Sequence, residues 1–242
     1  MRALILSIFI YISTTILPNA GAEDLLPGDV TVSTKEVTSE TILPQAEYFY
    51  DIGWSGIRVA KASIEAKVAD NTYEVTANAR TASIAKLFYN LKHNTTSRFA
   101  VSNFKPKSLS MAQKDNSTTK DMVVLLNSSN FLESTRQTNG GEKRRQSFER
   151  NNPRYDPLGA AFAARSLPLK TGLRYAFDVY TGKHRYLIEI KVEDRVLLDT
   201  VLGKKYCYHV VPTLKKLTST EPDKKFKSAE IWVTDDDQRD VV

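Results

Sequence analysis

Cysteine is nearly missing from this sequence. Cys207 is alone among 242 residues, so an intramolecular disulfide framework is excluded, and the three widely separated histidines form neither an H-E-x-x-H pair nor any other zinc spacing. The chain also lacks a G-x-S-x-G elbow, a Walker A loop and a G-x-G-x-x-G turn; Gly53-Trp54-Ser55-Gly56 has the wrong spacing for a nucleophile and reads as a turn. Apolar runs are absent beyond the first 17 residues, which excludes a polytopic membrane protein. With 41% hydrophobic and 26% charged residues, the chain is not disordered either. The 34 basic residues exceed the 28 acidic ones by +6, a surplus that permits anionic partners without demanding nucleic acid.

What is present begins at the N-terminus. Arg2 precedes an apolar stretch over 3–17, and Ala20-Gly21-Ala22 supplies a small-residue cleavage site. With ~15 apolar residues against the ~20 a bilayer span needs, residues 1–22 read as a signal peptide cleaved after Ala22, leaving no transmembrane anchor. No cysteine follows to accept a lipid, so the expected location is periplasmic or secreted. Residues 23–45 are rich in Thr, Ser, Glu and Pro and read as a flexible leader. Residues 46–242 then form one β-rich domain.

Within that domain the apolar period is two. Tyr48, Tyr50, Ile52 and Trp54 alternate with Phe49, Asp51 and Gly53, and Ala60, Ala62, Ile64, Ala66 and Val68 alternate with polar neighbours. Asp70-Asn71 turns the chain into a third strand through Tyr73, Val75, Ala77 and Ala79. Further strands are expected over 95–101, 107–114, 120–126, 131–138 and 143–150, with Asn139-Gly140-Gly141 as a hairpin turn. Five more follow over 175–180, 184–192, 196–202, 206–213 and 227–234, with Glu193-Asp194 read as a turn. Two helices interrupt the pattern. Ile84, Leu87, Phe88 and Leu91 fall at i, i+3, i+4 and i+7 over 81–91, and Asp156-Pro157 is an N-cap with Pro at the first helical position, ahead of Leu158, Ala161, Phe162 and Arg165. The expected fold is all-β and mainly antiparallel: a strongly curved, open or partial β-barrel-like sheet with two short helices, the alternative being a two-layer β-sandwich.

Five segments in order, Y-x-[IV]-x-W-x-G-I at 50–57, the Asp156-Pro157-Leu158 helix start, L-P-L-K-x-G at 167–172, Y-C-Y-H-V-V-P-T-L at 206–214 and W-V-T-D-D at 232–236, make the chain resemble the bacterial exported family called domain of unknown function 3108. The resemblance covers roughly residues 46–242. It implies an envelope or periplasmic protein of antiparallel β structure with no established activity, and brings no catalytic residues. Family members continue with a strand pair after the D-D-x-x-R turn, whereas this sequence stops at Val241-Val242. The expectation is therefore a truncated product or a sheet edge without its usual partner.

No residue set reads as catalytic. Cys207 alternates with His209 and Val211 along a strand and reads as a buried structural thiol, and Asp235-Asp236-Asp237 lacks a calcium-loop spacing, so no metal or cofactor is assigned. Two sets of binding residues stand out. Tyr50, Trp54, Ile84, Leu87, Phe88, Leu91 and Phe162 would form an apolar face and a lid over the mouth of the curled sheet. Lys143, Arg144 and Arg145 would contact anions beside the Gly140-Gly141 hairpin. The resulting expectation is a non-catalytic exported protein that binds or carries an apolar or amphiphilic envelope component. A structural or protein-interaction module of envelope assembly is the alternative, an enzyme the third, and the oligomeric state stays open.

Overall fold

The computed structural model describes residues 37, 43–54, 57–82, 85–126, 131–149, 155–218 and 230–242. The expected signal peptide and most of the expected leader lie outside the described residues. Eight strands follow in sequence, β1 (Ala46–Trp54), β2 (Ile57–Ala69), β3 (Thr72–Thr81), β4 (Leu91–Ala100), β5 (Pro106–Asp115), β6 (Thr118–Leu126), β7 (Phe131–Thr138) and β8 (Arg144–Glu149), each antiparallel to the one before. The period-two pattern fixes this arrangement, because alternate residues must face one buried side. Asp70 and Asn71 adopt φ of 49° and 55°, and Asn139 and Gly140 adopt 50° and 67°, the paired left-handed geometry of tight hairpins.

Among the described residues a single α-helix, α1 (Pro157–Ser166), lies on the concave side of this sheet. Its cap is the Asp156 carboxylate, which accepts from the Leu158 and Gly159 amides at 2.9 and 3.0 Å and from the Ser97 hydroxyl of β4 at 2.7 Å. A Cβ at Gly159 would lie 3.0 Å from the Phe104 carbonyl oxygen, so the first turn sits hard against the β4–β5 connection. Phe162 packs between Tyr73 and Phe99, ring centroids 5.4 and 5.6 Å away. Burying such a ring contributes about 2–3 kcal/mol. A second antiparallel sheet, β9 (Arg174–Tyr180), β10 (Arg185–Thr200), β11 (Gly203–Lys216) and β12 (Ile231–Thr234), packs on the far side of α1 through Phe177, Ile190, Val210 and Val233. One apolar core thus runs through both sheets and the helix.

The curled, mainly antiparallel β-fold agrees with the sequence pattern; the second expected helix does not form. Thr81 ends β3, Leu91 begins β4, and the Leu91 amide donates to the Thr81 hydroxyl at 2.9 Å, leaving a short connection with one 3₁₀ turn at Ala85–Leu87. Hydrogen-bonded strand pairing from both sides outweighs a short helical periodicity that would be marginal alone. Glu193-Asp194 is likewise no turn: β10 runs straight through, and the pairing with β11 shifts between Val192 and Asp194 as a bulge. Val37 and Leu43, within the expected leader, are buried in the main core.

Candidate functional site

Strand register builds a pocket on the concave face. His93, Gln113 and Lys120 are successive partners across β4, β5 and β6, and Thr95, Met111, Met122 and Arg136 form the next inward row, with Arg144 paired to Arg136. The opposite wall is the Thr181–His184 turn between β9 and β10. Gly182 makes its approach close: the Ser134 hydroxyl donates to its carbonyl, its φ is +87°, and a Cβ there would overlap the Met122 sulfur. Behind the turn, Arg185 and Asp178 form a fully buried bidentate ion pair, Nε to Oδ1 at 2.7 Å and Nη2 to Oδ2 at 2.6 Å. Between sheet and turn lies a cavity of about 410 Å³. Leu109, Met111 and Met122 give it an apolar side, and Lys120, Arg136, Arg144 and Lys183 a cationic one, with Asp121 and Glu142 also in the lining.

Two buried polar groups of its lining, His93 Nδ1 and the Arg136 Nε, have no hydrogen-bond partner among the described residues. Buried orphans of this kind mark a place where water or a ligand completes the bonding. Burial holds His93 below the usual histidine range. His184 is driven down to about 3, first by burial and then by the cations Lys216, Lys183 and Arg136, so both imidazoles are neutral at pH 7. Burial, with Arg144 beside it, also lowers the Arg136 guanidinium. An anionic group entering here would relieve that mutual repulsion, and an attached apolar portion would meet Leu109 and the two methionines.

The family model for DUF3108, described as a protein of unknown function, matches residues 50–242. The chain belongs to the DUF3108 family. No curated protein matches it. Among solved structures, a β-barrel-like protein of domain of unknown function DUF1849 from Brucella abortus is similar in fold, with a TM-score of 0.50 at 8% identity, over 83% of this chain and 90% of that one.

In this DUF3108 chain the described members of the expected apolar face and lid fall in different places. Phe88 is 86% exposed on the β3–β4 connection, Leu91 is buried at the start of β4, and Phe162 belongs to the core under α1. Tyr50 is half-buried against that core, Leu87 ends the 3₁₀ turn, Trp54 ends β1 opposite Ile57, and Ile84 lies outside the described residues. Of the anion set, Arg144 lines the cavity, whereas Lys143 and Arg145 are exposed and do not. Sequence reasoning did not single out His93, Lys120, Lys183 and His184 as site residues, and took Arg136 only as a neighbour of the basic cluster at the Gly140-Gly141 hairpin. Lys120 and Arg136 occupy inward positions of an alternating strand, a signal readable only once the register is known. Cys207 is buried, its thiol pushed up by burial, and Asp235 and Asp236 are engaged by Arg195 at 2.6 Å and Lys205 at 3.0 Å.

Proposed function

We propose that this protein is a non-catalytic exported carrier that holds an amphiphile with an acidic head group in the half-barrel cavity. The observation that carries this reading is the lining itself: an apolar Leu109, Met111 and Met122 side meets four cations in a volume of ligand size. The head group would bind Arg136, Arg144 and Lys120, and the Thr181–His184 turn would hold the apolar portion against the sheet. A fluorescent fatty acid and its methyl ester test the reading in parallel. Arg136→Gln should weaken the acid by about tenfold or more, as loss of a charge-assisted hydrogen bond worth ~1.5–3 kcal/mol requires, and leave the ester unchanged. Equal effects on both, or no binding of either, would refute the carrier reading. Export is tested separately by N-terminal sequencing of protein recovered from the periplasm, which should begin at Glu23.

One observation favours an envelope-protein interaction instead. The β10–β11 hairpin exposes Leu197, Val201, Leu202 and Tyr206 towards its tip, an apolar cluster suited to a protein partner. If Val201→Ser with Leu202→Ser abolishes the protein's cellular role while fatty-acid binding persists, this second reading replaces the first.

A further inference from the structure

The outer face of the large sheet carries an arrangement that folding alone disfavours. Lys61, Arg80, Lys92 and Lys114 are successive partners across β2, β3, β4 and β5, and all four are exposed. Like charges directly opposite one another on a sheet are destabilising. None of the four makes an ion pair with a carboxylate among the described residues. Asp51 stands at the end of the row, opposite Lys61, but its carboxylate is 3.3 Å from Arg58. Elsewhere on the same face opposite charges are matched, as where Arg98 meets Glu74 at 2.6 Å across β3 and β4.

The row borders a trough of about 880 Å³. Ser63, Asn78, Asn94 and Ala112 form the parallel row of short side chains in it, with the Asn94 amide donating to Asn78 Oδ1 at 2.8 Å. The exposed Phe49 ring stands at one end of that row.

We infer that this trough is a binding site for a linear acidic glycan, a chain of sugars bearing repeated carboxylate, sulfate or phosphate groups. Strand pairing sets the cations about 4.8 Å apart, so the four span ~14 Å, a line that a single small anion cannot satisfy and a chain of anions can. Asn78, Asn94, Ser63 and Thr119 offer neutral donors and acceptors to sugar hydroxyls, and Phe49 offers an apolar face. A single-stranded nucleic acid would call for several aromatic stacking platforms, whereas among the described residues of the trough Phe49 is exposed and Tyr50 is half-buried.

Calorimetric titration of the full chain with oligogalacturonate provides the test, with neutral dextran, polyphosphate, a single-stranded oligodeoxynucleotide and phosphatidylglycerol vesicles run alongside. Oligogalacturonate should bind, dextran should not, and affinity should fall as salt rises. Lys92→Gln with Lys114→Gln should weaken binding by roughly tenfold or more, since two counter-ion-releasing contacts are lost. The same variant should melt at the wild-type temperature or higher, because repulsion is relieved; this readout separates lost contacts from lost fold. Lys204→Gln with Lys215→Gln, the same charge removed from the other sheet, should bind as wild type. The inference is overturned if the trough variant binds unchanged, if both variants weaken binding equally, or if polyphosphate, the oligonucleotide or the vesicles bind as well as the acidic oligosaccharide.

Discussion

His184 and Asp156 titrate in opposite senses on either side of the same fold. The native imidazole at about 3 lies well below its ordinary 6.5, so between those values the unfolded chain takes up a proton that the native chain refuses, and stability falls as pH falls. Asp156 is raised to about 6 by burial, against the hydrogen bonds that favour its ionised form, so between about 4 and 6 the native chain binds the extra proton and stability falls as pH rises. The two slopes oppose each other between pH 4 and 6. His184→Gln should remove one of them: relative to wild type, the variant gains up to ~1.4 kcal/mol per pH unit below about 6. Urea melts at pH 7, 6, 5 and 4 measure this, and parallel stability curves would contradict it. Two phenylalanines make a second contrast. Phe162→Ala should cost about 3–5 kcal/mol, while Phe88→Ala, on a ring 86% exposed, should stay within ~0.5 kcal/mol.

The turn between β9 and β10 depends on two features that act together. Asp178 and Arg185 bury an ion pair at its base, and Asp178→Ala would leave the buried guanidinium without this counter-charge, a loss of about 3–5 kcal/mol. Gly182→Ala adds a Cβ at φ +87° into Met122 and should push the turn out of the half-barrel, enlarging the cavity and weakening fatty-acid binding more than it lowers the melting point. Wild-type affinity in Gly182→Ala would separate the turn from the site. None of this tertiary fit was legible in the sequence, although the hairpins around it were. Asp70-Asn71 and Asn139-Gly140 declare left-handed turns by residue type, and Asp156-Pro157 declares a helix start. By contrast, 81–91 has helical spacing but is bounded by paired strands, and Glu193-Asp194 looks like a turn but is absorbed by a bulge. The cation row was hidden for the same reason: Lys61, Arg80, Lys92 and Lys114 each read as an ordinary polar-face residue until the register set them side by side.

At the scale of the whole molecule, Val37 and Leu43, ahead of β1, belong to the core. Leu43 is 1% exposed, its carbonyl accepts from the Tyr73 hydroxyl at 3.2 Å, and the Val37 amide donates to the Tyr155 hydroxyl at 3.0 Å. Tyr73 packs on Phe99, Phe104 and Phe162, and Tyr155 on Phe177. Composition alone made residues 23–45 a leader, because two buried aliphatics among many Thr, Ser and Glu leave the average polar. Removing residues 1–45 would leave cavities in place of Leu43 and Val37 and take away the hydrogen bonds these residues make with the Tyr73 and Tyr155 hydroxyls, whereas removal of residues 1–22 would spare all four contacts. The shorter protein should lose about 3–6 kcal/mol, the Leu43 side chain alone accounting for ~2–5. At ~2–4 °C per kcal/mol for a domain of this size, its melting point should fall by roughly 6–24 °C relative to the protein beginning at Glu23. Because one core joins both sheets, circular dichroism and tyrosine fluorescence should report that loss as a single shifted transition. Equal melting points for the two proteins, or a transition that splits in two, would show that the segment only rests on a core complete without it.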